Sequence, residues 1–204
     1  MKGKPGSLYI HVPFCVRKCI YCDFFSVPYN EALAMAYMNA VIKELEMTRG
    51  ETSTLETVYI GGGTPTTIPV RSLVMLMKRI SDLFEVAGNA EITIEANPGT
   101  IDKGTAKALR DAGLNRFSIG AQSFDNDELR LLGRIHTFED TTRAVAAVRH
   151  SGAANISVDL IYGIPGQTHD NWLRTVDAAV ELSPEHISAY ELTPERGTPL
   201  YELI

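Results

Sequence analysis

Six short apolar segments recur along the 204 residues, each separated from the next by a stretch with helical character. The strand candidates are residues 8–12, 57–60, 91–96, 116–121, 155–162 and 186–192. Between them, residues 31–48 read as a helix, and residues 49–56 form a polar link. Leu73, Leu76, Met77, Ile80, Leu83 and Phe84 mark one helical face. Asp102 can cap a further helix that stops at Gly113. A polar helical stretch follows the fourth strand, and another helix covers residues 140–150. Trp172, Leu173, Val176, Ala179 and Val180 mark the last. Strands joined through helices run parallel, with right-handed crossovers. Alternation within the strands narrows the choice of sheet. Val58, Ile60, Ile92, Ile94, Phe117, Ile119, Ile156 and Val158 share one face. The opposite face carries Tyr9, His11, Tyr59, Thr93, Glu95, Ser118, Gln122, Ser157 and Asp159. A doubly wound sheet is apolar on both faces. One apolar and one polar face instead predict an α/β fold in which a wide partial (β/α)6 barrel of parallel strands encloses a ligand.

In parallel α/β folds the ligand lies at the carboxyl ends of the strands. The loop after the first strand holds all three cysteines of the chain, Cys15, Cys19 and Cys22. Clustered thiolates are soft ligands for zinc, copper(I) or an iron–sulfur cluster. Fully ligated iron–sulfur clusters usually take four cysteines, so a four-iron cluster here would keep one iron open. The competing reading is a zinc site completed by His11 or another histidine, although zinc cysteines usually come as two separated pairs.

Further candidates sit at the other strand ends. Gly61-Gly62-Gly63-Thr64-Pro65 follows the second strand and lets backbone approach a ligand closely. It has neither the dinucleotide-binding glycine spacing nor the lysine of a P-loop; a tight turn without a ligand is the plainer reading. Glu95 ends the third strand between Ile94 and Ala96. A carboxylate there needs a partner, which a ligand amine, a ribose or a structural cation would supply. Gln122 ends the fourth strand, and Asp159 and Glu191 lie on the fifth and sixth. His136 reads as a hydrogen-bonded structural residue. Arg17 and Lys18 beside the cysteines offer a docking point for an acidic electron donor, or simply a solvated loop.

Composition limits the alternatives. The chain is 45% hydrophobic and 22% charged with a net charge of −6, so no strong positive field favours nucleic acid. No apolar run approaches the ~18 residues of a membrane span. Lys2 and Lys4 precede too short an apolar piece for a signal peptide. In a reducing compartment, three clustered cysteines argue for metal or redox use rather than disulfides. A cytoplasmic chain folded as one domain over residues 1–204 is the expectation.

Cys15-x-x-x-Cys19-x-Tyr21-Cys22 resembles the C-x3-C-x-(aromatic)-C signature of radical S-adenosylmethionine (SAM) enzymes. The preceding Leu8-Tyr9-Ile10-His11-Val12-Pro13-Phe14 narrows the resemblance to the oxygen-independent coproporphyrinogen III oxidase-like family. That resemblance implies a radical SAM partial barrel in which Cys15, Cys19 and Cys22 hold a 4Fe-4S cluster and SAM binds the open iron. It implies SAM contacts at Tyr9, Tyr21, Gly62, Gly63, Thr64, Glu95, Gln122, Arg134 and Asp159. Members that oxidise the porphyrinogen carry a fourth cysteine just after the third, whereas Cys22 is followed by Asp23-Phe24. This matches the heme-chaperone branch, which implies heme as a further ligand, a heme-receiving protein as partner, and flavodoxin or ferredoxin as electron donor. The alternatives are an oxidoreductase that decarboxylates coproporphyrinogen propionates and a zinc-stabilised α/β protein without redox role. No catalytic side chain is assigned beyond the cluster. The resemblance runs through Glu195, whereas family members continue well past this point; their C-terminal region is expected to be absent.

Overall fold

The computed structural model describes residues 6–50 and 54–203. Lys2, Lys4 and residues 51–53 of the expected polar link lie outside them. Six parallel strands form the frame: β1 (Gly6–Val12), β4 (Leu55–Gly62), β5 (Val86–Ala96), β6 (Arg116–Gln122), β7 (Asn155–Tyr162) and β8 (His186–Glu191). They pair in the order β1-β4-β5-β6-β7-β8, so each strand lies beside the previous one of the frame. Among the described residues β1 and β8 pair with nothing on their outer sides. The sheet is an open, barrel-like wall.

Register keeps the two faces separate. Val58 pairs with Ile92, Ile94 with Phe117, and Phe117 with Ile156. These residues are buried against the helices, and Phe117, Ile119, Ile60 and Ile94 lose all solvent contact. Each such side chain contributes roughly 1.5–3 kcal/mol of transfer free energy. On the concave face, Glu95 pairs with Ser118 and Ser118 with Ser157.

The covering helices are α1 (Glu31–Met47), α2 (Val70–Leu83), α3 (Lys103–Asp111), α4 (Asn126–Leu131), α5 (Phe138–His150) and α6 (His169–Glu181), with a terminal turn α7 (Pro199–Leu203). Helix α2 buries Leu73, Leu76, Met77 and Ile80, four of the six positions its periodicity marks. Asp102 caps α3 through its carboxylate to the Thr105 amide at 2.7 Å, and Gly113 leaves the helix with φ +105°. Helix α5 begins two residues earlier than its apolar pattern predicts. A capping box between Thr137 and Asp140 fixes that start.

Two small elements carry no periodic signal. A two-residue parallel ladder joins β2 (Phe14–Cys15) to β3 (Val27–Pro28). The Val27 amide donates to the Pro13 carbonyl at 2.7 Å and the Tyr29 amide to the Cys15 carbonyl at 2.8 Å. These bonds pinch both ends of the cysteine loop together. Helix α7 then buries Leu200 and ties its amide to the Ile20 carbonyl at 2.9 Å, closing the loop from the far end of the chain.

Candidate functional site

The cysteine loop leaves the carboxyl end of β1 and arches over the concave face of the sheet. Its thiols are free and partly exposed. A turn from the Cys22 amide to the Cys19 carbonyl brings the last two together, and the Ile20 amide anchors the arch to the Leu132 carbonyl, each at 3.3 Å. Burial pushes the Cys22 thiol above its usual range, partly offset by the Phe24 amide.

Against this arch lies the glycine run at the end of β4. The Gly63 amide donates to the Val12 carbonyl at 2.8 Å and the Thr64 amide to the Phe14 carbonyl at 2.7 Å. A Cβ on Gly63 would stand 2.7 Å from the Phe14 carbonyl oxygen, and one on Gly62, at φ +114°, would meet the His11 ring at 2.6 Å. The glycines are thus required by the packing of two loops, whatever else they bind.

Glu95 projects from β5 beneath these loops. Its carboxylate accepts the Tyr59 hydroxyl at 2.6 Å and the Gly62 amide at 3.0 Å. Among the described residues no cation pairs with it. Burial raises its pKa, against the lowering effect of those two donors. The same burial and the adjoining carboxylate push Tyr59 well above the usual tyrosine range. A cationic ligand arriving here would meet an electron-rich, partly desolvated carboxylate.

The opposite wall comes from β6, α4 and the turn after it. Gln122 ends β6 with φ +69°, an unusual conformation outside glycine that turns the chain at the cavity rim. Arg134 donates to Cys19 Sγ at 3.3 Å, to Asn97 Oδ1 at 2.6 Å and to the Gly120 carbonyl at 2.9 Å. Tyr21 lies beside Cys19 and Arg134, its hydroxyl pushed up chiefly by burial. Asp159 accepts from Ser118 at 2.8 Å, and Ser157 bonds His186 Nδ1 at 2.9 Å lower in the wall.

Together these elements enclose one cavity of about 800 Å³. Its lining includes Cys15, Cys19, Cys22, Tyr21, Gly62, Gly63, Thr64, Glu95, Gln122, Arg134 and Asp159. Tyr9 is not part of it; the ring is exposed, stacks beside Tyr59 and holds His11 Nδ1 at 3.1 Å. His11 spends its other nitrogen on the Phe25 carbonyl at 3.0 Å, so both ring nitrogens have partners within the protein. His136 is buried and bonds the Ala121 carbonyl at 3.2 Å. Sequence reasoning missed Asn97, which bridges two walls, and Arg116 and His186, which line the cavity's far end. Asn97 opens the run Asn97-Pro98-Gly99, whose local character is that of a turn, and only tertiary structure gives it a second use.

The donor set fits an iron–sulfur cluster. Three thiols face one cavity, two of their sulfurs already receive hydrogen bonds from Arg134 and Thr64, and the space beside them is open. Among the described residues no three His, Cys, Asp or Glu side chains converge as a single metal ion requires, whereas cluster thiolates each hold a different iron.

Residues 9–179 match the model of the Radical SAM superfamily. The chain belongs to that superfamily. Its relatives include the heme chaperone HemW of Haemophilus influenzae, 40% identical over 97% of this chain and 53% of the relative. The heme chaperone HemW of Synechocystis is 36% identical over 95% of this chain and 48% of the relative. The solved coproporphyrinogen III oxidase HemN from Escherichia coli, a radical SAM enzyme, superposes with a TM-score of 0.88 at 30% identity. That match covers 95% of this chain and 45% of the other. The chain spans about half the length of the relatives it matches. No helix among the described residues is long and apolar enough to cross a membrane.

Proposed function

We propose that residues 1–204 act as one radical SAM core domain that binds a 4Fe-4S cluster and SAM and serves heme trafficking, as the HemW relatives are named for. The observation that carries this reading is the convergence of three thiols, the glycine run and Glu95 on one cavity. Cys15, Cys19 and Cys22 would hold the cluster. When bound, the cluster supplies one-electron cleavage of SAM. Glu95 and the backbone of Gly62, Gly63 and Thr64 would receive the amino and ribose groups of SAM, and Tyr21 would pack its adenine. Gln122, Arg134 and Asp159 fix the far side. The chemistry requires that water and oxygen be kept from the reacting end, which suits a barrel interior. Arg17 and Lys18, both exposed on the arch, offer positive charge to an acidic cytoplasmic donor such as flavodoxin or ferredoxin. Heme would be passed to a receiving protein.

The likeness to HemN supports a second reading, an oxidoreductase that decarboxylates coproporphyrinogen III. Asp23-Phe24 after Cys22 speaks against it, since the resemblance implies a fourth cysteine there in the oxidases. One anaerobic experiment separates the two. The protein is reconstituted with iron and sulfide, then given SAM, dithionite and either heme or coproporphyrinogen III. Heme binding by absorbance, with 5′-deoxyadenosine formed and porphyrin unchanged, is the expected result. Decarboxylated porphyrin would establish the oxidase reading instead. Iron-free protein after reconstitution would refute both.

A further inference from the structure

A hydrogen-bonded chain behind the cysteine arch begins and ends on sulfur. Arg134 Nη1 donates to Cys19 Sγ at 3.3 Å, and Nη2 donates to Asn97 Oδ1 at 2.6 Å. Asn97 Nδ2 donates to Thr64 Oγ1 at 2.7 Å, and Thr64 Oγ1 donates to Cys15 Sγ at 3.7 Å. With the cysteines as thiolate ligands, the direction of every bond is forced. A guanidinium has donors only, so the amide oxygen of Asn97 must face it. The amide nitrogen is thereby turned to Thr64. Because Oγ1 receives that N–H, its own proton is free to point at Cys15. Thr64 is buried, with 2% exposure, so water does not compete for the hydroxyl.

We propose that Asn97 is a positioning residue that sets the polarity of this chain, aims donors at two of the three cluster sulfurs and so holds the cluster's reduction potential up. The proposal rests on the cluster reading above. Hydrogen bonds to ligand sulfur favour the reduced, more negative cluster, and they are among the protein's means of setting potential. An aspartate at this position would accept from both neighbours. The Thr64 proton would swing from sulfur to carboxylate, Cys15 would lose its donor, and a negative charge would stand beside the cluster. All three changes lower the potential. Thr64→Val removes only the Cys15 donor, at nearly constant shape.

The test is an EPR-monitored redox titration of the anaerobically reconstituted chain, with dithionite as reductant and no SAM. Iron and sulfide are counted first. Midpoints should fall in the order wild type, Thr64→Val, Asn97→Asp. The new charge in Asn97→Asp lowers the midpoint by itself, so the uncharged Asn97→Ala carries the decision. A merely structural Asn97 would change the unfolding midpoint and leave the potential of Asn97→Ala alone, so equal midpoints for wild type and Asn97→Ala overturn the proposal. If Asn97→Ala does not retain iron, Thr64→Val decides: an unshifted midpoint overturns it, a negative shift supports it. If Thr64→Val also loses iron, a midpoint of Asn97→Asp equal to that of wild type overturns it and a lower one supports it. Wild-type protein without iron and sulfide would sink the cluster reading itself, a failure distinct from equal potentials on a formed cluster.

Discussion

Glu95 is held by two neutral donors and pairs with no cation among the described residues, so its charge is only half answered there. A hydrogen bond to a charged group contributes about 1.5–3 kcal/mol. Glu95→Gln should therefore weaken SAM binding about 10- to 100-fold by calorimetry, while iron content stays that of the wild type. His136 gives a pH signature of the opposite kind. Burial, reinforced by Arg134, depresses its pKa from 6.5 to about 4. The unfolded chain therefore binds the proton more readily than the fold. Stability contributed by neutral His136 is present above about 6.5 and is lost as pH falls toward about 4. The full difference is on the order of 3 kcal/mol. Urea unfolding at pH 7 and pH 5 should show a smaller drop in His136→Gln than in wild type; equal drops would refute the assignment. Raised Glu95 works in the other direction, so the comparison between the two proteins, not the wild-type slope, carries the test.

Among elements, α3 shows local sequence and structure in agreement. Its cap, its stop and its buried pair Ala106 and Leu109 all follow from residue types. Asp102→Ala should cost about 1 kcal/mol of unfolding free energy and leave iron binding unchanged, because α3 packs on the face away from the cavity. The frame strands were equally legible, since apolar and polar residues alternate with the pleat. The ladder of β2 and β3 was not, because two residues have no period. The start of α5 was missed for a related reason: Thr137 and Asp140 act through backbone, not through an apolar stripe. At the site, the cysteines, the glycine run and Glu95 could be read from spacing and strand position. Asn97, Arg116 and His186 could not, because their importance lies in neighbours far away in the chain.

For the whole molecule, the cavity is a joint product of elements that each fold on their own terms. Anything that binds only the folded state stabilises it by mass action. Reconstitution with iron and sulfide should raise the thermal unfolding midpoint of the wild type, and Cys19→Ala should show neither bound iron nor the rise. A rise that persists in Cys19→Ala would mean that iron binds elsewhere.

The strictly sequential strand order also governs biogenesis. Each strand of the frame can dock on its predecessor as soon as the ribosome releases it, because no later strand is inserted between earlier ones. The cysteine loop is made before five of the six frame strands, yet the guanidinium that bonds Cys19 lies 115 residues downstream. Helix α7, which fastens the same arch, follows later still. Until both are made, the thiols lack their second wall. Metal insertion into the finished site therefore follows the synthesis of α7, and the cysteines must stay reduced until then.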